Sequence, residues 1–359
     1  MSEHLIQTAL RVLSRSSGGA ESAEVGALVE PENVEVLYER ALSLATAPDS
    51  PEARDSGRQS LIESYLDAGR AGLQEIVAHG ETARLDALQL TGLEAIVRLT
   101  GRPSFLVERG RVAGVPRDSE WFEPLIGAED GLRQVLGSVG RVNLADTAGP
   151  GYAGTAFMVA PGVLMTNRHV VSQFAQEKAE GQWIVAPGCA PAVDFMGEDQ
   201  QPAGPAFPIS AVLLMHPNEE LDLALVRVEP ATQAPLPAPL YLGTQEAVIV
   251  KSKPVYAIGY PASDSHNDAS ELARIFGDIF GVKRLAPGEI MRGRWWLGTS
   301  FRHDCTTLGG SSGSCIVDFN THRVLGLHFG GNYLKANFAL SLPYLRSDEH
   351  LRNAGVMYG

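Results

Sequence analysis

Three short segments of the sequence each hold one side chain that can take part in nucleophilic catalysis. His169 ends the run Thr166-Asn167-Arg168-His169, Asp222 stands directly before the apolar run Leu223–Val228, and Ser312 lies in the Gly/Ser-rich stretch Gly309–Ser314. An imidazole can accept the proton of an attacking hydroxyl, and a carboxylate beside the imidazole fixes its tautomer and stabilises the imidazolium. For this chemistry the three side chains must meet in space, although they are 53 and 90 residues apart in the chain.

Each segment also has a plain structural interpretation. A lone histidine at a strand end is usually structural, an aspartate before a strand is usually a turn residue, and a Gly/Ser run is usually a flexible loop. The third segment is the strongest evidence for a catalytic role, because a flexible linker would not be followed at once by strand-forming residues such as Ile316 and Val317. Glycines around a hydroxyl permit the tight, exposed turn that aims backbone N–H groups at an attacked carbonyl.

Two adjacent serines in this loop compete for the role of nucleophile. Ser311 and Ser312 both carry a hydroxyl, but only Ser312 has a glycine two residues before it and another one residue after it, at Gly310 and Gly313. The prediction is therefore Ser312.

The elements that must position these residues fall into two kinds. Up to about residue 100, apolar residues recur at spacings of three and four, which predicts a small helical bundle. The predicted helices begin with one around Leu5–Leu13, and Ser50-Pro51-Glu52 is a candidate start for another. From about residue 137, short Val/Ile/Leu-rich runs alternate with Gly, Pro, Asn and Asp clusters, as in a strand-rich barrel or sandwich.

The stretch between these two parts is predicted to be a connector and not a domain. Residues 101–136 contain Pro103 and Pro116 with several glycines, around one predicted short strand at Phe105–Val107 and one predicted helix. We therefore expect three units: a helical interaction domain at 1–100, a connector at 101–136 and a catalytic domain at 137–359.

Composition and charge exclude several classes of protein. The chain has 359 residues, 44% of them hydrophobic, and a formal net charge of −13, which repels nucleic acid and anionic lipid in the absence of a basic patch. Neither a membrane-spanning stretch nor a secretory signal is evident. Three cysteines are too few for a disulfide framework and suit a reducing compartment, so a cytoplasmic location is expected. The histidines and cysteines show no metal-ligand spacing, and no metal or cofactor is predicted.

The order His169, Asp222, Ser312 and the local contexts of these residues resemble the chymotrypsin superfamily of serine peptidases. The resemblance covers residues 137–345 and is nearest to the bacterial glutamyl-endopeptidase-like branch. It implies an all-β double barrel with the site between the barrels, acting as a serine endopeptidase on a protein substrate. The sequence departs from the family pattern around the nucleophile at Ser311 and Cys315, and neither change removes a triad member.

The resemblance also implies roles for residues around the triad. The backbone N–H groups of Gly310 and Ser312 match the oxyanion hole. The specificity pocket maps to Thr306, Thr307 and the run Leu327–Gly331, in which His328, Gly330 and Gly331 stand out. Thr306 replaces the acid of a trypsin-like pocket, whereas Thr307 and His328 are able to donate hydrogen bonds to an acidic substrate side chain. The alternative for His328, a histidine satisfied in the core, stays open.

The helical region resembles the effector-associated or death-fold-like adaptors that bacterial conflict systems attach to proteases. That resemblance implies regulation through a homo-oligomer or adaptor partner, and cleavage of a specific effector, such as a bacterial gasdermin, in defence against phage. Two alternatives are kept. One is an HtrA-like quality-control protease, although only 47 residues follow Ser312. The other is a catalytically silent binding scaffold, which the intact triad argues against.

Overall fold

The helical region is described in three helices. The computed structural model describes residue 9 and residues 31–46, 59–117, 119–144, 151–231, 234–261, 279–295, 299–307, 310–332 and 336–359. The helices are α1 (Pro31–Thr46), α2 (Gln59–His79) and α3 (Ala87–Thr100). The predicted first helix, apart from the helical and buried Ala9, and the predicted start at Ser50-Pro51-Glu52 lie outside the described residues.

The bundle has its own core, and its helices begin and cross for local reasons. Asp86 caps α3 by accepting a hydrogen bond from the backbone N–H of Gln89 at 2.8 Å, and the Gln89 side chain accepts from the Asp86 N–H at 3.0 Å. Helices α2 and α3 cross closely where Gly69 faces Gly92. A Cβ on either glycine would collide with the backbone of the other helix, so this close crossing needs glycine at both positions. The apolar faces predicted by the spacing meet in one cluster, which includes Leu37, Ile62, Leu66, Leu73, Leu93 and Ile96.

Residues 101–136 are more structured than the predicted connector. They form two short strands, β1 (Phe105–Glu108) and β2 (Arg111–Val112), and the short helix α4 (Phe122–Gly127), and they lead into α5 (Glu129–Gly137). Apolar residues of this stretch, among them Phe105, Val107, Trp121 and Leu132, are buried in one cluster with residues of both barrels. Burial on this scale ties the stretch to the strands that follow it.

The first barrel is closed and has six strands. They are β3 (Val139–Asn143), β4 (Tyr152–Ala160), β5 (Val163–Thr166), β8 (Ala192–Asp194), β9 (Phe207–Met215) and β10 (Ala224–Val228), in the order β10-β5-β4-β3-β8-β9. The one-turn helix α6 (Arg168–Val171) follows β5, and a separate hairpin, β6 (Ala175–Ala179) with β7 (Gln182–Val185), follows α6.

The second barrel closes in the order β11-β14-β15-β16-β13-β12, with β12 pairing back to β11. Its strands are β11 (Pro254–Gly259), β12 (Arg284–Trp295), β13 (Ser300–His303), β14 (Cys315–Asp318), β15 (Val324–Asn332) and β16 (Ala336–Ser341). The hairpin β1-β2 extends the sheet beside β12, and helix α7 (Glu349–Asn353) follows the barrel. The predicted class, a helical region followed by a double β-barrel, is confirmed.

A buried lysine links the two barrels. Lys283 is 1% exposed and donates from Nζ to the carbonyl oxygens of Leu136 and Phe195, each at 2.6 Å. Leu136 lies in the last turn of α5, and Phe195 directly follows β8 of the first barrel. Lys283 directly precedes β12 of the second barrel. Since a buried ammonium must be paired or hydrogen-bonded, these contacts fix how the barrels meet. No helix in the described part of the chain has both the length and the apolar character to cross a membrane.

Candidate active site

His169 and Asp222 lie side by side because strands β5 and β10 are paired. Thr166, the last residue of β5, is opposite Ala224, the first residue of β10. The residues that follow β5 therefore lie beside the residues that precede β10. His169 Nδ1 is 2.5 Å from Asp222 Oδ2, and the backbone N–H of His169 donates to Asp222 Oδ1 at 3.0 Å. Asn167 Nδ2 donates to the Asp222 carbonyl oxygen at 2.8 Å. Both carboxylate oxygens are used, which fixes the imidazole with its proton on Nδ1 and leaves Nε2 as the basic nitrogen.

The loop that carries Ser312 is anchored on both barrels. The Ser312 carbonyl oxygen accepts from the backbone N–H of Thr155 at 2.9 Å, and the Gly313 N–H donates to the carbonyl oxygen of His328 at 3.0 Å. Among the loop serines, Ser311 and Ser314 are buried, whereas Ser312 is partly exposed. A nucleophile has to be accessible, so this difference favours the predicted register.

A single glycine brings the histidine helix and the serine loop together. A Cβ on Gly154 would lie 2.9 Å from the carbonyl oxygen of Ser312 and 2.9 Å from Cγ2 of Val170, the residue after His169. A side chain at position 154 would therefore push the two parts of the site apart. Gly154 lies in β4, and its role in the site becomes evident from these contacts.

The backbone around Ser312 has the form needed to hold an oxyanion. Gly310 has φ +82° and Gly313 has φ +87°, a region that glycine enters at little cost. Within the described residues, neither the Gly310 nor the Ser312 N–H donates to a backbone carbonyl. Both donors are therefore available to an oxygen bound beside Ser312.

The residues predicted to line the specificity pocket are divided between two places. Thr306 and Thr307 line a small cavity together with Ser311, Ser314 and Ser104. The cavity holds about 10 Å³ of free volume, which is room for about one water molecule, and it is open to solvent on one side. The Thr306 hydroxyl is already used, since it donates to the carbonyl oxygen of Arg102 at 2.5 Å.

His328 lies elsewhere, in β15, against a second histidine. Its Nδ1 is 3.3 Å from Nε2 of His303 in β13, and both rings are buried. Burial lowers the pKa of His303 to about 3; burial, together with His303 and His169, holds the pKa of His328 well below its usual range. Both rings are therefore neutral near pH 7.

The remaining two predicted pocket residues lie farther along β15. Gly330 is paired with Phe338, and in the described part of the chain no atom lies within 4 Å of a methyl group placed at Gly330. Gly331 is exposed. This strand end has open space beside it, as a pocket edge requires.

The sequence did not point to several residues that hold the site. Thr155 binds the serine loop, Asn167 holds the Asp222 backbone, His303 contacts His328, and Arg102 reaches the segment before the loop. Asn167 stands in the run quoted for His169, and Thr155 directly precedes the apolar run Ala156–Val159, so the polarity of both residues was a usable signal. His303 and Arg102 gave none, because their partners are distant in the chain.

Cys315, one of the two departures from the family pattern, is a packing residue. It is fully buried in β14, and burial raises the pKa of its thiol to about 12. Cys189, Cys305 and Cys315 all have free thiols.

Comparisons with known proteins give a matching domain family and two relatives. A family model of the trypsin-like peptidase domain matches residues 154–327. A probable serine protease of Lysobacter enzymogenes is 30% identical over 347 residues, which cover 87% of this chain and 86% of that protein. A second probable serine protease of the same organism is 25% identical over 223 residues, covering 55% of this chain and 31% of that protein.

The matches among solved structures include a serine-to-alanine mutant of Rv3671c from M. tuberculosis H37Rv in an inactive form. It is 20% identical with a TM-score of 0.41, and the match covers 67% of this chain and 95% of that one. The extent of the match to the first Lysobacter protein, together with the domain match, shows that this chain belongs to the trypsin-like serine proteases.

Proposed function

We propose that the protein is a serine endopeptidase in which Ser312 is the nucleophile, His169 the general base and Asp222 the residue that orients the base. The observation that carries the proposal is the contact of 2.5 Å between His169 Nδ1 and Asp222 Oδ2, beside the loop that Thr155 anchors at Ser312. With the Nδ1 proton held by Asp222, Nε2 is free to accept the hydroxyl proton of Ser312.

The reaction then follows the two steps of acyl transfer. Ser312 Oγ forms a bond to the substrate carbonyl carbon while its proton passes to His169 Nε2. The negative carbonyl oxygen is held by the N–H groups of Gly310 and Ser312, and the leaving amine takes the proton from His169 as the peptide bond breaks. Water, deprotonated by His169, releases the acyl group and restores Ser312.

We further propose that the substrate residue before the cleaved bond is acidic, as in glutamyl endopeptidases. The support comes from the tautomers of the two buried histidines. His303 Nδ1 has no hydrogen-bond partner among the described residues. An unpaired acceptor costs less than an unpaired buried N–H, so His303 carries its proton on Nε2 and donates it to His328 Nδ1. His328 Nε2 then carries a proton. We propose that a substrate carboxylate accepts it in place of the Phe338 backbone, with which the His328 ring has a hydrogen bond.

A substrate carboxylate suits this arrangement because it accepts without requiring either histidine to be charged. Two neutral histidines in series pass polarisation toward the carboxylate, and we propose the Thr307 hydroxyl, which lines the small cavity beside the serine loop, as a second donor. Thr306 offers no acid to pair with Lys or Arg, and its hydroxyl is bound to Arg102. The pocket of this proposal consists of Thr307, His328, Gly330 and Gly331, with Thr306 in the wall behind it.

The helical region is proposed to regulate the protease through self-association or an adaptor partner. The chain passes from α3 to the second barrel in four residues, 101–104, so a change in the bundle is close to the catalytic domain. Cytoplasmic action on one effector, such as a bacterial gasdermin, in defence against phage rests on the adaptor resemblance alone. The test compares the full chain with a fragment that begins near Gly101 and so keeps β1, β2 and α4, at several concentrations, and with the full chain whose helical region is forced to dimerise.

A fluorophosphonate probe tests the catalytic assignment directly. We expect the wild-type protein to be labelled at Ser312, located by peptide mass spectrometry, and Ser312→Ala and His169→Ala to stay unlabelled. Ser311→Ala is the matched control and is expected to be labelled. A folded wild-type protein that the probe does not label would favour the alternative of a catalytically silent scaffold.

A further inference from the structure

The junction between the helical region and the second barrel is short and tightly bound. Helix α3 ends at Thr100, and β1 begins at Phe105, where it pairs with Leu285 of β12. In between, the Ser104 carbonyl oxygen accepts from Arg284 Nη1 at 2.8 Å. The junction is therefore hydrogen-bonded to the second barrel.

Arg102, in the middle of this junction, is a buried charge surrounded by carboxylates. Its side chain is 4% exposed, and its guanidinium lies 3.0 Å from Asp304, 3.7 Å from Glu120 and 3.8 Å from Glu289. Asp304 and Glu289 are themselves 5% and 7% exposed. Removing the guanidinium would take this counter-charge away from the buried Asp304 carboxylate, which is a strongly unfavourable change.

Asp304 belongs to the segment 304–307, the predicted wall of the specificity pocket, and Arg102 holds this wall at two points. The guanidinium pairs with Asp304, and the Arg102 carbonyl oxygen accepts the hydroxyl of Thr306 at 2.5 Å. On its other side the wall is fixed to β12, because Asp304 Oδ1 accepts from the Glu289 N–H at 2.6 Å. The wall is thus clamped between the junction and a barrel strand.

The same wall continues into the serine loop. Thr306 and Thr307 share their small cavity with Ser311 and Ser314, and Ser104 of the junction also lines it. Because Arg102 contacts both Asp304 and Thr306 in a closely packed region, a shift of the junction has to move the wall.

We propose that Arg102 is a positioning residue for substrate specificity: from the end of the helical region it holds the wall 304–307 in the shape that accepts the substrate side chain. The inference rests on the proposed function, because it assumes that this wall belongs to the pocket used by Ser312. Through these contacts, a movement of α3 would be transmitted to the pocket by Arg102 and Asp304.

The test uses the full chain and separates substrate binding from the reactivity of Ser312. Arg102→Gln removes the charge, Arg102→Lys keeps the charge but loses the planar fork, and Thr306→Val removes only the hydroxyl. Arg70→Gln is the matched control, since it breaks an ion pair to Glu35 of 2.6 Å inside the bundle and touches nothing near the wall. KM and kcat are measured with the preferred peptide, and Ser312 reactivity with a small fluorophosphonate that has no side chain for the pocket.

We expect Arg102→Gln and Thr306→Val to raise KM by about 10- to 100-fold, the loss typical of misplacement by about 1 Å. Arg102→Lys should fall between wild type and Arg102→Gln. Labelling of Ser312 should change far less than KM, and Arg70→Gln should leave KM unchanged. Asp304→Asn added to Arg102→Gln should restore part of the loss, because the asparagine keeps the acceptor for the Glu289 N–H and removes the unpaired charge.

Two results would overturn the inference while the proposed function stands. One is a KM at the wild-type value in Arg102→Lys and Thr306→Val, which carry the test if Arg102→Gln does not fold. The other is an equal loss of peptide cleavage and of labelling in every wall variant, which would indicate general damage. Failure of the proposed function looks different: the wild-type protein itself would not be labelled at Ser312, and the inference would fall with it.

Discussion

The backbone N–H of Thr155 donates to the carbonyl oxygen of Ser312 at 2.9 Å, and this bond joins the first barrel to the loop of the proposed nucleophile. Thr155 is held in turn at its other polar atoms. Its carbonyl oxygen accepts from the Thr166 hydroxyl at 2.7 Å, and its own Oγ1 accepts from the Tyr260 N–H at 3.0 Å. Because Thr166 is three residues before His169, one threonine sets the serine loop against the histidine strand.

Replacing Ser312 or His169 by alanine should abolish most of the peptidase activity without unfolding the protein. The two side chains act as one proton-transfer unit, so each single change should lower kcat/KM by about 10⁴- to 10⁶-fold, and the double variant should be little worse. Circular dichroism and thermal unfolding check the fold. Near-normal activity in Ser312→Ala, with loss in Ser311→Ala, would show that the assigned register is wrong.

Asp222→Asn should keep the fold and lower kcat by about 10³- to 10⁴-fold, because an amide no longer selects the tautomer with the proton on Nδ1. Glu219→Gln is the matched control: Glu219 is an exposed acid in the same loop, bound only to Arg168 at 3.1 Å among the described residues. Steady-state kinetics on one peptide compare the two variants. Similar losses in both would mean that Asp222 acts through the charge of the loop and not through His169.

Gly313→Ala should be inactive or unfolded, whereas Gly188→Ala should be active. Both glycines have nearly the same φ, +87° and +86°, and so the same intrinsic cost of about 1–2 kcal/mol for a residue with a Cβ. The added Cβ would collide with the carbonyl oxygen of Thr155 at position 313 and would meet no atom within 4 Å at position 188. Urea unfolding and fluorophosphonate labelling measure the difference. Equal stabilities would show that the loop yields easily and that the Thr155–Ser312 bond does not depend on this close fit.

His328→Leu and Thr307→Val should each weaken the preference for glutamate over glutamine before the cleaved bond. Loss of one charge-assisted hydrogen bond, about 1.5–3 kcal/mol, corresponds to a ratio of kcat/KM values that is about 10- to 100-fold smaller. His303→Leu should lower the same ratio by less, since it acts only through the tautomer of His328. A peptide library in which the wild-type protein strongly prefers Lys or Arg would contradict the proposal.

The stability of the protein should fall as the pH is lowered below about 6.5. The folded-state pKa of His303 is depressed to about 3 by burial, while the unfolded chain binds its proton near 6.5, so the stability present above pH 6.5 is lost progressively toward pH 3. The slope is at most about 1.4 kcal/mol per pH unit for this residue. Buried His328 adds to it in the same direction.

Urea unfolding at several pH values between 4 and 8 measures this dependence. His303→Leu should reduce the slope, whereas His79→Gln, at an exposed helix end, should not. An unchanged slope in His303→Leu would mean that His303 takes up a proton in the folded state.

The sequence by itself determined the local features of this protein. The spacing of apolar residues in Leu61–Val77 predicted a helix, and the glycines at 310 and 313 predicted a tight turn at Ser312, because helix periodicity and the conformational freedom of glycine are properties of a few neighbouring residues. The order of the three motifs, through their resemblance to known peptidases, gave the double barrel as well. Residues 101–136 lack a strong apolar period and were predicted to be a connector with one strand and one helix, but they form a hairpin in which β1 pairs with β12 and β2 pairs with β1.

Only the tertiary structure decided which distant residues meet. His303 and His328 are 25 residues apart and Arg102 and Thr306 are 204 apart, and each pair is in contact because a strand pairing or a junction brings it there. Thr306 is a further example. Its position relative to Ser312 suggested a pocket residue, but the bond from its hydroxyl to the Arg102 carbonyl oxygen could be seen only in the structure. Hydrogen bonds and ion pairs act over about 3 Å, so their partners are set by the register of β12, β13 and β15 and not by any local pattern in the chain.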